Sequence, residues 1–371
     1  MYCKSISVRD FRNIESAEVC FCEGVNILAG ENAQGKTNLL EAIFYASVGR
    51  SFRSAFTSQM IRFGCECADI SLNFRDRKRD QNIHVRIFQD KQRLVEKNGV
   101  RAERLSDIMG SFRSVLFCPE HLSLIKDGPA ERRAYLDMAI SRMYPMYMHA
   151  LQKYNHILKQ RNALIKNALS DRETFDATIE LWSMQLAHEA AVISDMRLAF
   201  IKRAEVYISK FFNEMTDGGE LPKVIYHGNA GLKDDEYHDR EKTEKRYLEL
   251  LMGSHEREIY AGATLFGIHK DDLDISLNGK SARIYASQGQ QRSLALSMKL
   301  AEGEICREEF GDYPVFLFDD VLSELDIKRR DYLINRMSGK QVIITTCEPD
   351  ALASVIDGVK IKVSDGKYTN V

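Results

Sequence analysis

The chain has 371 residues, 44% of them apolar and 29% charged, and a formal net charge of −2. That length predicts two domains, or one domain with a large insertion, and the composition is that of an ordinary globular protein. Near-neutral charge leaves any nucleic-acid contact to local basic patches; the lack of a long apolar run or a signal-peptide core excludes a membrane span and points to the cytoplasm.

Strand-like alternation opens the chain at 2–8 (Tyr2, Lys4, Ile6, Val8), and short runs follow at 17–22 and 25–29. Between them Phe11-Arg12-Asn13 forms an aromatic-anchored turn, from which Arg12 is a candidate phosphate contact. The run 25–29 leads into Gly30-Glu31-Asn32-Ala33-Gln34-Gly35-Lys36-Thr37 and then a helical segment through Ile43. This strand, loop and helix fit the P-loop pattern G-x-x-x-x-G-K-[ST]. Glycines let backbone N–H groups close on phosphate oxygens, and the helix N-terminus favours negative charge. In this reading the eight residues bind a nucleotide, Lys36 reaches its β- and γ-phosphates and the Thr37 hydroxyl holds Mg²⁺.

A basic loop, 49–54, comes next, and β patterns return at 68–74, 83–88 and 94–96 with Asn98-Gly99 as a hairpin turn. The close pairs Cys20/Cys22 and Cys65/Cys67 lack zinc-knuckle spacing and are read as small strand-packing residues rather than metal ligands. From about 120 the period becomes helical. Gly128-Pro129 opens a helix, and Tyr147, Leu151, Tyr154, Leu158, Arg161 and Ile165 form an apolar seam with one basic interruption. A polar turn at 170–174 precedes a second seam through Ile179, Trp182, Leu186, Ala190, Ile193, Phe200, Ala204, Tyr207 and Phe211. Two such seams predict an antiparallel helical hairpin, as either a coiled-coil arm or a compact lobe. A charged helix is expected near 239–259 and a strand at 273–277, closed by Asn278-Gly279.

Ser287-Gln288-Gly289-Gln290-Gln291-Arg292 then opens an apolar-periodic helix, a second anion-binding N-terminus. Val315-Phe316-Leu317-Phe318 is a strand covered on both faces, ending in Asp319-Asp320. Such an end is a Walker B: Asp319 serves Mg²⁺ opposite Thr37, and Asp320 orients or deprotonates the attacking water. Ser323-Glu324-Leu325-Asp326 follows, and Thr345-Thr346 end a later strand.

P-loop, Ser287–Gly289–Gln290 loop, Asp319-Asp320 and the Asp326 loop occur in the order of an ABC-type ATPase. The fold expected is therefore α/β: an ATPase head (1–120 and 263–371) split by an α-helical insertion or short hairpin arm (121–262). With Phe11-Arg12-Asn13, Ser51-Phe52-Arg53, Arg132-Arg133 and Gly267-Ile268-His269-Lys270-Asp271-Asp272-Leu273, nearly the whole chain resembles the RecF family of SMC-related ATPases. The resemblance implies a slow DNA-dependent ATPase of recombinational repair that dimerises with ATP at gaps or single–double strand junctions. It also implies partnership with RecR and RecO. By that resemblance Ser287, Gly289, Gln290 and Asp326 contact nucleotide, and Thr346 stands near the switch position. Asp320 replaces the glutamate of transporter-type enzymes. A transporter ATPase would need a Gln loop and a switch His; a long-armed SMC protein would need far more than the roughly 250 residues between Lys36 and Ser287. A P-loop metabolic kinase, the reading from another class, has no use for residues 287–291.

Overall fold

A computed structural model describes the chain apart from residues 55, 90–92, 104–106, 217, 348–357 and 371. It divides into two compact units, the first made of Met1–Ser123, Phe211–Gly218 and Ala295–Val371, the second of Leu124–Lys210 and Gly219–Leu294. Residues 263–294, assigned to the head from sequence, thus cluster with the helical unit.

In chain order the first unit begins with β1 (Tyr2–Phe11), β2 (Ile14–Cys20), β3 (Val25–Ala29), α1 (Lys36–Val48), β4 (Cys67–Arg75), β5 (Asp80–Phe88), β6 (Leu94–Lys97), β7 (Val100–Arg101) and β8 (Ser114–Phe117). The second unit follows with α2 (Pro129–Met143), α3 (Pro145–Asn167), α4 (Arg172–Thr216, whose residues from Phe211 on belong to the first unit), β9 (Pro222–His227), α5 (Arg240–Met252), α6 (His255–Ala261), β10 (Asp272–Leu277), β11 (Lys280–Ser281) and α7 (Ala282–Tyr285). Helix α8 (Gln288–Phe310) starts there and returns the chain to β12 (Val315–Asp319), α9 (Ile327–Arg336), β13 (Val342–Thr346), β14 (Val359–Ser364) and β15 (Lys367–Asn370).

The first unit holds two sheets. One is antiparallel, ordered β2-β1-β4-β5-β6-β7. Ile6, Val8, Ile70, Leu72, Ile83 and Val85 are buried on its inner face. On the other face Asn73 bonds Ser5 and Asn82 bonds Ser71, each at 3.0 Å. The pairing register of β1 shifts between Cys3 and Ser5, which buries Cys3 and leaves Lys4 exposed, so the simple alternation from Tyr2 does not hold at its start. The other sheet, β15-β14-β3-β13-β12-β8, is parallel except for β15. Every residue of β12 and β13 is buried, as continuous apolar runs require. Helix α1 contacts strands of both sheets and is buried on most of its surface. The Asn98-Gly99 and Asn278-Gly279 turns have positive φ at both residues, the geometry expected of two-residue hairpins.

In the second unit α3 and α4 run antiparallel: Arg161 Nε donates to Ser183 at 3.1 Å, and Arg197 Nε to the Tyr147 hydroxyl at 3.0 Å. Helix α4 has 45 residues, about 67 Å at 1.5 Å per residue. The basic interruption of the α3 seam proves fully buried. Arg161 Nη2 bonds Glu258 of α6 at 2.6 Å and Nη1 bonds Thr264 at 2.9 Å, so further elements pack on the pair. The charged helix expected near 239–259 is two helices, broken at Gly253-Ser254. His269 bridges the Tyr154 hydroxyl (2.6 Å) and the Thr264 carbonyl (3.1 Å), and burial depresses its pKa to about 4.

Candidate nucleotide site

Strand β3 delivers Gly30 to the edge of a cleft. A Cβ there would stand 2.2 Å from the carbonyl oxygen of Val363 on β14, so only glycine permits the approach. The Gly30 N–H donates to Thr346 O at 3.3 Å. The loop then turns through Ala33 (φ 64°) and Gly35 (φ 111°), and Gly35 caps α1. Lys36 folds back, only 6% exposed, and its Nζ donates to the carbonyls of Gly30 (2.6 Å) and Glu31 (2.7 Å) and to Cys347 Sγ (3.4 Å). Its ammonium is held by neutral acceptors in a shielded place, where an anion gains most from it.

Thr37 Oγ1 donates to Asp319 Oδ1 at 2.7 Å, bringing P-loop and Walker B strand together. Thr345 Oγ1 donates to the same oxygen at 2.9 Å and accepts from the Asp320 N–H at 2.9 Å. Burial raises the Asp319 pKa, while the Thr37 and Thr345 hydroxyls act against that rise. A hydroxyl and a carboxylate this close form an all-oxygen donor pair, which fits a small hard cation such as Mg²⁺. Asp320, in the left-handed region at φ 49°, lines the cleft.

The cleft has a volume of about 290 Å³ and is lined by the expected Asn32, Ala33, Gly35, Lys36, Thr37 and Asp320. Sequence reasoning missed Asn13, Asn38, Arg53, Thr345 and Cys347, which also line it. Strand alternation is the signal for the last two: Thr345 and Cys347 share a face, and Thr346 between them is not among the lining residues. Gln34 instead faces the C-terminal hairpin, its Oε1 accepting from Asp365 N–H at 2.5 Å.

Arg12 differs from expectation. Its guanidinium forms a fork on Glu41 of α1 (3.0 and 2.7 Å) and donates to Gln59 O at 2.8 Å, outside the cleft lining. Glu41 is fully buried, so its carboxylate needs a cation, and Ser51 donates to it as well. Arg53 takes the cleft position instead, donating to Asn38 Oδ1 at 2.8 Å.

Ser287, Gly289 and Gln290 belong to the second unit. The Ser287 N–H donates to Gln290 Oε1 at 2.7 Å, and the Gln290 N–H to Ser287 Oγ at 3.2 Å. This is a reciprocal capping box at the start of α8, a structural reason for serine and glutamine at this spacing. Gln290 also donates to Glu220. Asp326 caps α9, accepting from the Arg329 N–H at 3.0 Å, and pairs with the Arg329 guanidinium.

Among the described residues no helix is long and apolar enough to cross a membrane, and no cluster of three or more His, Cys, Asp or Glu could hold a metal. Comparison with known proteins covers the whole chain. The profile of the RecF/RecN/SMC N-terminal domain matches residues 2–370. The DNA replication and repair protein RecF of Thermoanaerobacter sp. (strain X514) is 37% identical over 98% of this chain and 100% of its own length. RecF of Exiguobacterium sp. (strain ATCC BAA-1283 / AT1b) is 39% identical over 95% and 94%. The structure of the recombination mediator RecF with ATPγS, in the RecFOR pathway, superposes with a TM-score of 0.93 at 35% identity, covering 100% of this chain and 98% of that one. An Smc head domain from Pyrococcus furiosus, at 18% identity and TM-score 0.56, covers 100% of this chain and 96% of its own and shares the head fold. A match of this identity that runs the full length of both chains makes the protein a member of the RecF family of DNA replication and repair proteins.

Proposed function

We propose that the chain is an ATP-driven clamp on DNA, a slow ATPase whose nucleotide state sets its association with a second copy. The juxtaposition of Thr37 and Asp319 at 2.7 Å, with Lys36 and Asp320 on the same cleft, carries this reading. Solved RecF structures with ATP and ATPγS, at 35% identity, support it. Lys36 exchanges the Gly30 and Glu31 carbonyls for the β- and γ-phosphates, and loop amides donate to the remaining phosphate oxygens. Thr37 and Asp319 hold Mg²⁺, which when bound neutralises phosphate charge. Asp320 orients the attacking water; one methylene shorter than glutamate, it gives slow turnover.

The N-terminus of α8, ordered by Ser287 and Gln290, offers amides to the γ-phosphate held by the other copy, with Gly289 allowing close approach. Asp326 adjoins the shared nucleotide, and Thr345, which faces the cleft, takes the place expected of Thr346. A ligand favours the dimer only by binding it better than the monomer, and a γ-phosphate shared between copies provides that difference. DNA contact at gaps and single–double strand junctions is through phosphates, hence sequence-tolerant and salt-sensitive. RecR and RecO are the expected partners, and the cytoplasmic nucleoid the expected location.

Molar mass by light scattering, with and without Mg-ATP, tests this. Wild type should pass from monomer to dimer with ATP, Asp320→Asn should hold the dimer longest, and Ser287→Arg should abolish it. ATP binding with no change of mass, with or without DNA, would overturn the clamp.

A further inference from the structure

We propose that the C-terminal β-hairpin is a clasp that presets the P-loop for phosphate, with Tyr368 as its positioning residue; this rests on the nucleotide reading above. Strands β14 and β15 are joined by Asp365-Gly366, with φ of 48° and 72°, a two-residue turn that the sequence reading passed over. The turn lies tightly against the β1–β2 connection: a Cβ on Gly366 would stand 3.1 Å from Asn13 O.

From there the hairpin takes hold of two consecutive P-loop carbonyls. The Gly366 N–H donates to Gln34 O at 2.9 Å, and the Tyr368 hydroxyl donates to Gly35 O at 2.9 Å. The Leu39 N–H of α1 also donates to Gly35 O, at 3.0 Å. The Gln34 side chain closes the clasp on Asp365 N–H.

The consequence follows from peptide planarity. No peptide among the described residues is cis, so the N–H of each unit points opposite to its C=O. Holding the Gln34 and Gly35 carbonyls toward the hairpin turns the Gly35 and Lys36 amides away from it, and Gly35, Lys36 and Thr37 line the cleft. Gly35, at φ 111°, has the most backbone freedom to lose; the Leu39 N–H holds its carbonyl from within α1, and the hairpin adds a second donor. The hydroxyl that holds it comes from 333 residues away in sequence, outside any P-loop pattern.

The test is calorimetric affinity for Mg-ATP and for Mg-tripolyphosphate, which has no base or ribose, in wild type, Tyr368→Phe and Tyr45→Phe. Tyr45 is a matched control: its buried hydroxyl on α1 accepts from Arg93 at 2.8 Å and does not touch the loop. Tyr368→Phe should weaken both ligands by the same factor, about 3- to 10-fold for one neutral hydrogen bond, with Tyr45→Phe within twofold of wild type. Unchanged affinity in Tyr368→Phe would overturn the clasp. So would a loss for ATP alone, which marks a base contact, or an equal loss in Tyr45→Phe, which marks general loosening. Failure of wild type to bind either ligand would instead remove the nucleotide reading itself.

Discussion

Glu258→Ala should destabilise the second unit by about 3–5 kcal/mol, the cost of breaking a buried ion pair on one side. Both partners have 0% side-chain exposure, and Arg161 would keep only the hydroxyls of Ser183 and Thr264. Glu258 Oε1 also accepts from the Leu265 N–H at 2.9 Å, so the variant orphans a backbone donor as well. The assay is built into the chain. Its single tryptophan, Trp182, lies in α4 beside Ser183, so its fluorescence during urea unfolding reports on this unit. With a slope of about 2 kcal/mol per molar urea, the midpoint should fall by about 1.5–2.5 M. The double variant Arg161→Met/Glu258→Leu should recover more than half of that loss, because it removes both charges. A midpoint shift below about 0.5 M for Glu258→Ala would mean that the Arg161 guanidinium is not left buried and uncompensated, since such a charge could not cost so little.

Two further outcomes are expected. Burial raises the pKa of Asp271 from 3.8 to about 6, although Arg197, Tyr226 and the Asn229 N–H all favour its charged form. The folded state therefore binds this proton more tightly than the unfolded chain. The resulting stabilisation is complete below pH 3.8 and is lost as pH rises through about 6. Urea midpoints between pH 4 and 7 should accordingly decline less steeply with pH in Asp271→Asn than in wild type; parallel profiles would contradict the assignment. Gly30→Ala forces a methyl group into the Val363 carbonyl, 2.2 Å away, and one of two backbones must move. A loss of about 1–3 kcal/mol and of nucleotide binding should follow, read by thermal unfolding and by ATP titration.

Much of this protein was determined locally. The P-loop, the apolar strand ending in Asp319, the Asn-Gly turns and the helical seams are written in contiguous residues. Their backbone geometry follows from glycine freedom, capping and periodicity, and the structure carries them as expected. Even the Ser287–Gln290 pair had a local meaning as a capping box, beside the family signature it resembles.

Tertiary structure decided what local pattern leaves open. Arg12 pairs with Glu41 because α1 buries that carboxylate and the β1–β2 turn brings this guanidinium against it, with Arg53 a second, longer ion pair at 3.8 Å. Thr345 rather than Thr346 faces the cleft because sheet pleat, and not residue type, distinguishes two adjacent threonines. The extent of the second unit, reaching Leu294, depends on how β10, β11 and α7 pack, which no turn signal near 263 reports. The C-terminal hairpin meets the P-loop only because β14 pairs with β3 in parallel, a contact between residues more than 300 positions apart. Pairing of that range is set by burial of a whole sheet, so its partners have no signature in either segment alone.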